Sequence, residues 1–167
     1  MTAPIIVTAL LGPMDFRWAD DLRRAHFPPE RNVVPAHITL FHHLPPKILP
    51  ELAERLKRHA AAPAPSASLA GLVDLGSGVA YRVESEGLAA IRDALADAFS
   101  GLLIPQDRAR PRFHITVQNK ARPERARALF AALSAGFRPR PIAIAGLAAW
   151  HYRGGPWELA MKAMFRG

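Results

Sequence analysis

Hydrophobic and polar positions along the chain switch repeatedly between a strand period and a helix period. Ile5–Leu11 is a short apolar run rich in β-branched residues, closed by Gly12-Pro13, and reads as a strand. Asp15 precedes a helix-like stretch over 16–24 that Pro28-Pro29 must end. Pro35 opens a strand over 37–41, and a helix is predicted over 48–62, where Leu49, Leu52, Ala53 and Leu56 recur at helical spacing. The Pro- and Ala-rich stretch 62–66 reads as a linker. Two strand-like runs, 68–75 and 79–83, flank Gly76-Ser77-Gly78 and predict a hairpin. An amphipathic helix over 88–102 carries Leu88, Ile91, Leu95, Ala98, Phe99 and Leu102. A basic loop over 105–111, a strand over 113–117 and a helix over 123–135 stopped by Gly136 follow. Residues 142–152 and 157–165, around Gly154-Gly155-Pro156, predict a closing hairpin.

The predicted order is βαβα-ββ-αβα-ββ, and its two parts look alike. Each part has a helix, a strand that begins His-Ile-Thr-aliphatic, a second helix and a hairpin. The two His-Ile-Thr strands start at His37 and His114, 77 residues apart and close to half the chain. That is the mark of an internal duplication. The expected fold is α+β: two pseudo-symmetric lobes, each an antiparallel sheet with helices on its outer face, around a central cleft. Residues 1–167 are expected to form one bilobal domain of tandem half-repeats.

Composition narrows the chemistry. Half of the 167 residues are apolar and 22% are charged, enough to bury a sizeable core. The absence of cysteine excludes disulfides, iron–sulfur clusters, thiolate zinc sites and a cysteine nucleophile. No apolar run approaches the roughly 18 residues of a membrane span. The apolar segment 4–12 has no basic region before it and soon meets Asp15, so no signal peptide is expected. A cytoplasmic monomer is expected. The net charge is +8, and residues 101–140 alone hold nine Arg and Lys against two Asp and Glu. Such a local surplus suits a polyanionic partner such as RNA or a phosphate ester; a solvated basic face is the alternative.

The paired motif carries the chemistry. The chain has four threonines, and two of them, Thr39 and Thr116, stand two residues after a histidine. On a strand, residues i and i+2 share a face, so each histidine lies beside its threonine while Ile38, Leu40, Ile115 and Val117 point into the core. If a pseudo-twofold relates the halves, both pairs face one cleft. Two imidazoles across a cleft suit in-line attack at phosphorus. A neutral one accepts a proton from water or a hydroxyl while a protonated one delivers a proton to the leaving oxygen. The threonine hydroxyls can donate to the non-bridging oxygens. That scheme needs no metal and no cofactor.

Parity extends each motif. Arg112 and Lys120 are in phase with His114 and are expected at the substrate phosphate, whereas Phe41 and His43 are in phase with His37. Phe41, His43 and Tyr81 are candidates for base stacking or the cleft edge, with Trp150 and Tyr152 as further aromatic candidates. His42 is expected on the opposite face. A metal site of His37, His42 and His43 lacks a carboxylate at useful spacing, so no metal ligands are assigned. Two other readings remain: an RNA-binding module of the same fold with little turnover, and a metal-dependent hydrolase using clustered histidines.

This constellation resembles the two-histidine (2H) phosphoesterase superfamily, in particular its bacterial 2′-5′ RNA ligase-like and cyclic phosphodiesterase branch. The likeness covers nearly the whole chain and includes the stretch 23–45, where His26-Phe27-Pro28-Pro29-Glu30-Arg31-Asn32 runs on to Pro35-Ala36-His37-Ile38-Thr39-Leu40-Phe41. His42, His43 and Leu44 stand where many members continue with Phe, Leu and Gly, which alters the cleft edge. The resemblance implies His37 and His114 as catalytic and Thr39 and Thr116 as phosphate-binding. It implies 2′,3′-cyclic phosphates or 2′-5′-linked RNA as substrates. Hydrolysis, which needs only water, is the expected detectable activity, with reversible 2′-5′ ligation by the same groups.

Overall fold

The apolar run of β1 (Ile5–Leu11) is buried along its length except at half-buried Leu10, with Ile5, Val7, Ala9 and Leu11 on one face. The first half of the chain continues with α1 (Pro13–His26), β2 (Ile38–Leu44), α2 (Leu49–Ala60) and β3 (Ala67–Asp74). The second half runs β4 (Val79–Glu84), α3 (Glu86–Ala98), the four-residue α4 (Pro105–Arg108), β5 (His114–Gln118), α5 (Pro123–Ala135), β6 (Arg140–Ile142), β7 (Ile144–His151) and β8 (Glu158–Met164). The computed structural model describes residues 3–167.

Two four-stranded antiparallel sheets result, ordered β2-β1-β7-β8 and β5-β4-β3-β6. The fold is thus α+β with two lobes. The halves exchange strands: β3 leaves the first half to pair with β4, and β7 leaves the second to pair with β1. They exchange helices too. Helix α1 lies along β5, and its Trp18 meets Tyr81 of β4 edge-on, with ring centroids 4.9 Å apart. Helix α3 sends Arg92 to the Leu40 carbonyl of β2. Helix α2 buries Leu52, Leu56 and Ala60, one apolar stripe, against β7 and β8, while α5 covers β3 and β4. Each sheet therefore depends on elements of both halves of the chain, which couples the two lobes.

Some boundaries differ from the sequence pattern for clear reasons. Helix α1 begins at Pro13, whose fixed φ and missing N–H suit a first turn. Helix α3 is capped by Ser85, whose hydroxyl accepts the Leu88 N–H at 3.1 Å, and ends at Ala98 before a 3₁₀ turn over Ser100–Leu102. The expected strand over 142–152 divides at Ala143, where the chain crosses from the second sheet to the first. Asp15 holds that crossing, accepting from Ala143 N and Arg140 Nη1 at 2.8 Å each. Among the described residues no helix is long and apolar enough to cross a membrane.

Candidate active site

Strands β2 and β5 are the edge strands of their sheets and come into contact where the two lobes meet. His37 stands immediately before β2 and His114 opens β5, so the two motifs lie on neighbouring edges of opposite lobes. The rings are anchored alike. His37 Nδ1 lies 2.7 Å from the Pro35 carbonyl, and His114 Nδ1 lies 2.8 Å from the Arg112 carbonyl. A carbonyl only accepts, so each Nδ1 carries the proton and each Nε2 is left with a lone pair or a second proton. Thr39 pairs across to Thr8 of β1, and Thr116 to Ala80 of β4, both half-buried beside their histidines.

The two histidines differ in their surroundings. The His37 ring lies against Trp157, with centroids 4.7 Å apart, at the mouth of a hollow of about 410 Å³. Burial pushes its pKa down to about 4; the Pro35 carbonyl opposes this, and nearby Arg23, His114 and His42 add to it. His37 is therefore neutral at pH 7. Arg82 of β4 is the cross-strand neighbour of His114, with its guanidinium held by Glu84 and the Ala70 carbonyl.

An edge strand leaves a row of backbone groups unpaired, and here buried charged side chains cover them. Arg23 of α1 donates Nη1 to the Thr116 carbonyl at 2.8 Å and Nε to Asn32 Oδ1 at 3.1 Å, with its guanidinium over the Phe27 ring. Arg92 of α3 donates Nε to the Leu40 carbonyl at 3.2 Å and Nη2 to the Asp107 carbonyl, and lies over Phe41. Asp107, only 1% exposed, accepts the N–H groups of His42 and His43 at 2.9 and 3.0 Å and binds His42 Nδ1 at 2.9 Å. Burial raises the Asp107 pKa, but the bonds from His42 and His43 outweigh it and hold the carboxyl below its ordinary value. Both arginines are pushed down by desolvation, partly offset by Asp20 for Arg23 and by Asp107 and Asp93 for Arg92.

The remaining sequence-based candidates divide. Phe41 is fully buried beneath Arg92 and cannot stack on a base. The β1–β2 register shifts between the Val7–Phe41 and Thr8–Thr39 pairs, so a bulge turns both Leu40 and Phe41 inward. Tyr81 is buried between Trp18 and Phe137 on the helix-covered face of β4, away from the cleft. Lys120 leaves the strip because β5 ends at Gln118 and the Lys120 backbone turns left-handed, with φ 59°. It lines a basic hollow with Arg24, Arg122 and Arg125 instead. Arg112 is exposed beside Arg82 and Arg110, and Tyr152 is exposed. The His43 side chain is exposed at the edge of β2, and His42 turns to Asp107, the carboxylate that sequence spacing did not reveal. No group of three or more metal-ligating residues lies together among the described residues.

Sequence reasoning missed Arg23, Arg92, Asp107 and Trp157. A signal existed for the arginines: Arg92 sits between Leu88 and Leu95 on the apolar stripe of α3, and Arg23 follows buried Ala19 by one turn.

A model of the 2′-5′ RNA ligase superfamily matches residues 12–156, most of the chain and both motifs. The chain belongs to that superfamily. Its fold is similar to that of TT0787 of Thermus thermophilus, at 18% identity and a TM-score of 0.61, covering 98% of each chain. A crystal structure described as a phosphoesterase matches at 17% identity and a TM-score of 0.62 over 100% of both chains. E. coli LigT complexed with 3′-AMP matches at 15% identity and a TM-score of 0.62, also over 100% of both chains. At these identities the likeness establishes the shared fold. No curated protein sequence matches the chain. Membership of the superfamily supports a 2H phosphoesterase or 2′-5′ RNA ligase type of activity with an RNA or nucleotide substrate.

Proposed function

We infer that the protein is a metal-independent phosphoesterase acting on 2′,3′-cyclic phosphates or 2′-5′ phosphodiester linkages of RNA or nucleotides. The observation that carries this reading is the matched anchoring of His37 and His114 on two edge strands that meet across one cleft. The 3′-AMP in the LigT complex supports a nucleotide ligand for the shared fold.

In the hydrolytic direction, neutral His37 takes a proton from water on Nε2 as the water oxygen bonds to phosphorus. The bond from phosphorus to the 3′ oxygen breaks, and protonated His114 delivers its Nε2 proton to that oxygen. Assigning the base to His37 follows from its burial against Trp157, which disfavours the cation. Thr39 and Thr116 donate to the non-bridging oxygens as charge builds. Ligation puts a 5′-hydroxyl in place of water: its oxygen bonds to phosphorus as its proton passes to His37. The bond from phosphorus to the 3′ oxygen breaks as His114 protonates that oxygen, and a 2′-5′ linkage remains. The proposal is tested with a panel of 2′,3′-cyclic nucleotides and cyclic-phosphate-ended oligonucleotides, assayed with and without chelator and with product regiochemistry determined. Turnover that survives chelation and leaves one phosphate regioisomer is expected; turnover abolished by chelator overturns the metal-independent mechanism.

A further inference from the structure

The two walls of the cleft differ in chemistry. On the second sheet, Arg82 stands across from His114, and Arg112 lies nearby. On the first sheet, β1, β7 and β8 present Leu10, Trp150 and Met164, and Trp157 follows in the β7–β8 turn. Together with Phe16 and Val33 these side chains line the hollow of about 410 Å³, whose sole titratable lining residue is His37. That volume lies within the range of small-ligand pockets.

The hollow has little with which to read a polar ligand. Only His37, Trp150 and Trp157 among its lining residues carry a polar side-chain atom. Trp150 Nε1 already donates to Thr8 Oγ1 at 2.9 Å, and His37 Nδ1 is committed to Pro35. A nucleobase edge would surrender its hydrogen bonds to water with few in return. An apolar group loses nothing there. Val33 and Met164, 49% and 51% exposed at the rim, leave apolar surface in water that such a group would cover.

We propose that this hollow seats one ester group by apolar area, so that phosphodiesters carrying a hydrocarbon or unsubstituted aryl group on one phosphate oxygen form a further substrate class of the site. The assignment rests on the phosphoesterase reading above and adds a second substrate class beside its cyclic and 2′-5′ ribose esters. The phosphorus lies between the two histidines, the retained apolar ester lies in the hollow, and the leaving ester lies along the cationic wall. Selectivity then follows buried area, about fourfold in kcat/KM per methylene, and is nearly blind to base identity.

The test is a series of methyl, ethyl and propyl p-nitrophenyl phosphodiesters, read by p-nitrophenolate release. The propyl ester should exceed the methyl ester by about sixteenfold in kcat/KM. Leu10→Asn and Met164→Ser should each pull that ratio toward one. Because the ratio is taken within each variant, the fraction of folded protein cancels. A flat series in the wild type, a ratio unmoved by either substitution, or differences above about tenfold among the four 2′,3′-cyclic nucleotides overturns the proposal. Binding supplies a readout without turnover: 2-naphthyl phosphate should quench tryptophan fluorescence at concentrations at least about a hundredfold below those needed for methyl phosphate. Equal affinities overturn the apolar seat. Tight naphthyl phosphate binding with no turnover of any diester leaves the seat standing and overturns the phosphoesterase reading.

Discussion

Trp157 lies against His37, with their ring centroids 4.7 Å apart, and this contact separates two histidines that the sequence motif makes look equivalent. His37, held down to about 4, keeps its lone pair through mildly acidic solution. As pH falls through that value the ring gains a proton and ceases to act as a base. The acid limb of kcat/KM, which reports the free enzyme, should therefore fall near pH 4 and not near the ordinary histidine value of about 6.5. Trp157→Ala admits water to the ring and should move the limb upward, so that the variant loses more activity at pH 5 than at pH 7.5. A wild-type acid limb near 6.5 would refute the assignment of His37 as base.

Removing either histidine tests the mechanism directly. His37→Ala and His114→Ala should each lower kcat by about 10²–10⁴, the usual contribution of a positioned acid or base. The double variant should be little worse than the poorer single one, because the pair acts as a unit. Thr39→Ala and Thr116→Ala should each cost about 1–3 kcal/mol of transition-state stabilisation, as for the loss of a hydrogen-bond donor. Near-wild-type rates in either histidine variant, on both cyclic and 2′-5′ substrates, would refute the two-histidine mechanism.

The elements that the sequence revealed are those whose pattern is local. The motif strands, the β3–β4 hairpin and α5 follow from period and turn residues within about ten positions. The unseen features depend on distant chain. Ile142-Ala143-Ile144 has no Gly or Pro to mark the change of sheet, which Asp15 fixes from the far end of the sequence. Phe41 shares parity with His37, yet a bulge set by pairing with β1 buries it. Tyr81 could face either side of β4 until Trp18 of α1 and Phe137, just beyond α5, arrive from distant parts of the chain. Likewise, Asp107 reads as part of a basic loop, and only the open edge of β2 explains a buried carboxylate there.

That carboxylate makes a stability prediction with a definite sign. Asp107 has a lowered pKa in the folded protein, so its contribution is complete above the ordinary carboxylate value and fades as pH falls through the folded one. Asp107→Asn removes the charge and turns an amide donor toward the His42 and His43 N–H groups. It should cost about 1–3 kcal/mol at pH 7 by urea denaturation, with a smaller loss on acidification than in the wild type. Equal acid sensitivity in both proteins would remove Asp107 from this role. Arg92→Ala strands the Leu40 and Asp107 carbonyls and should cost a similar amount.

The end of β5 is set by a backbone contact at the hairpin. A Cβ placed on Gly78 would fall 1.9 Å from the Gln118 carbonyl oxygen, with backbone and no flexible side chain in its way. Gly78→Ala should therefore displace the strand that carries His114 and Thr116, costing about 1–3 kcal/mol or more, as overpacking does. Gly76→Ala serves as a contrast. Nothing lies within 4 Å of a Cβ there, although its φ of 83° still imposes backbone strain. The expected outcome is a lower Tm in both variants, with reduced kcat/KM in the folded Gly78→Ala protein alone. Unchanged turnover in folded Gly78→Ala would show that β5 tolerates the shift.

The basic segment divides into cations with partners and cations without, and that division sets how binding responds to salt. Arg140 is bound to Asp15 and lies over Trp18, while Arg108 donates to the Leu103 carbonyl. Arg110 and Arg112 stand beyond one end of β5, and Lys120 and Arg125 beyond the other, with no ion pair among the described residues. A single-stranded oligonucleotide laid across the cleft meets both groups. Each phosphate neutralised releases counterions, so log K should fall linearly with log salt, by about 0.7 per contact. Lys120→Ala with Arg125→Ala should make the slope shallower by about 1.4, and Arg140→Ala should leave it unchanged while lowering Tm. Mononucleotide turnover, which engages one phosphate, should respond far less to salt. Oligonucleotide affinity that stays flat between low and physiological salt, measured by fluorescence anisotropy, would show that this face does not bind the strand.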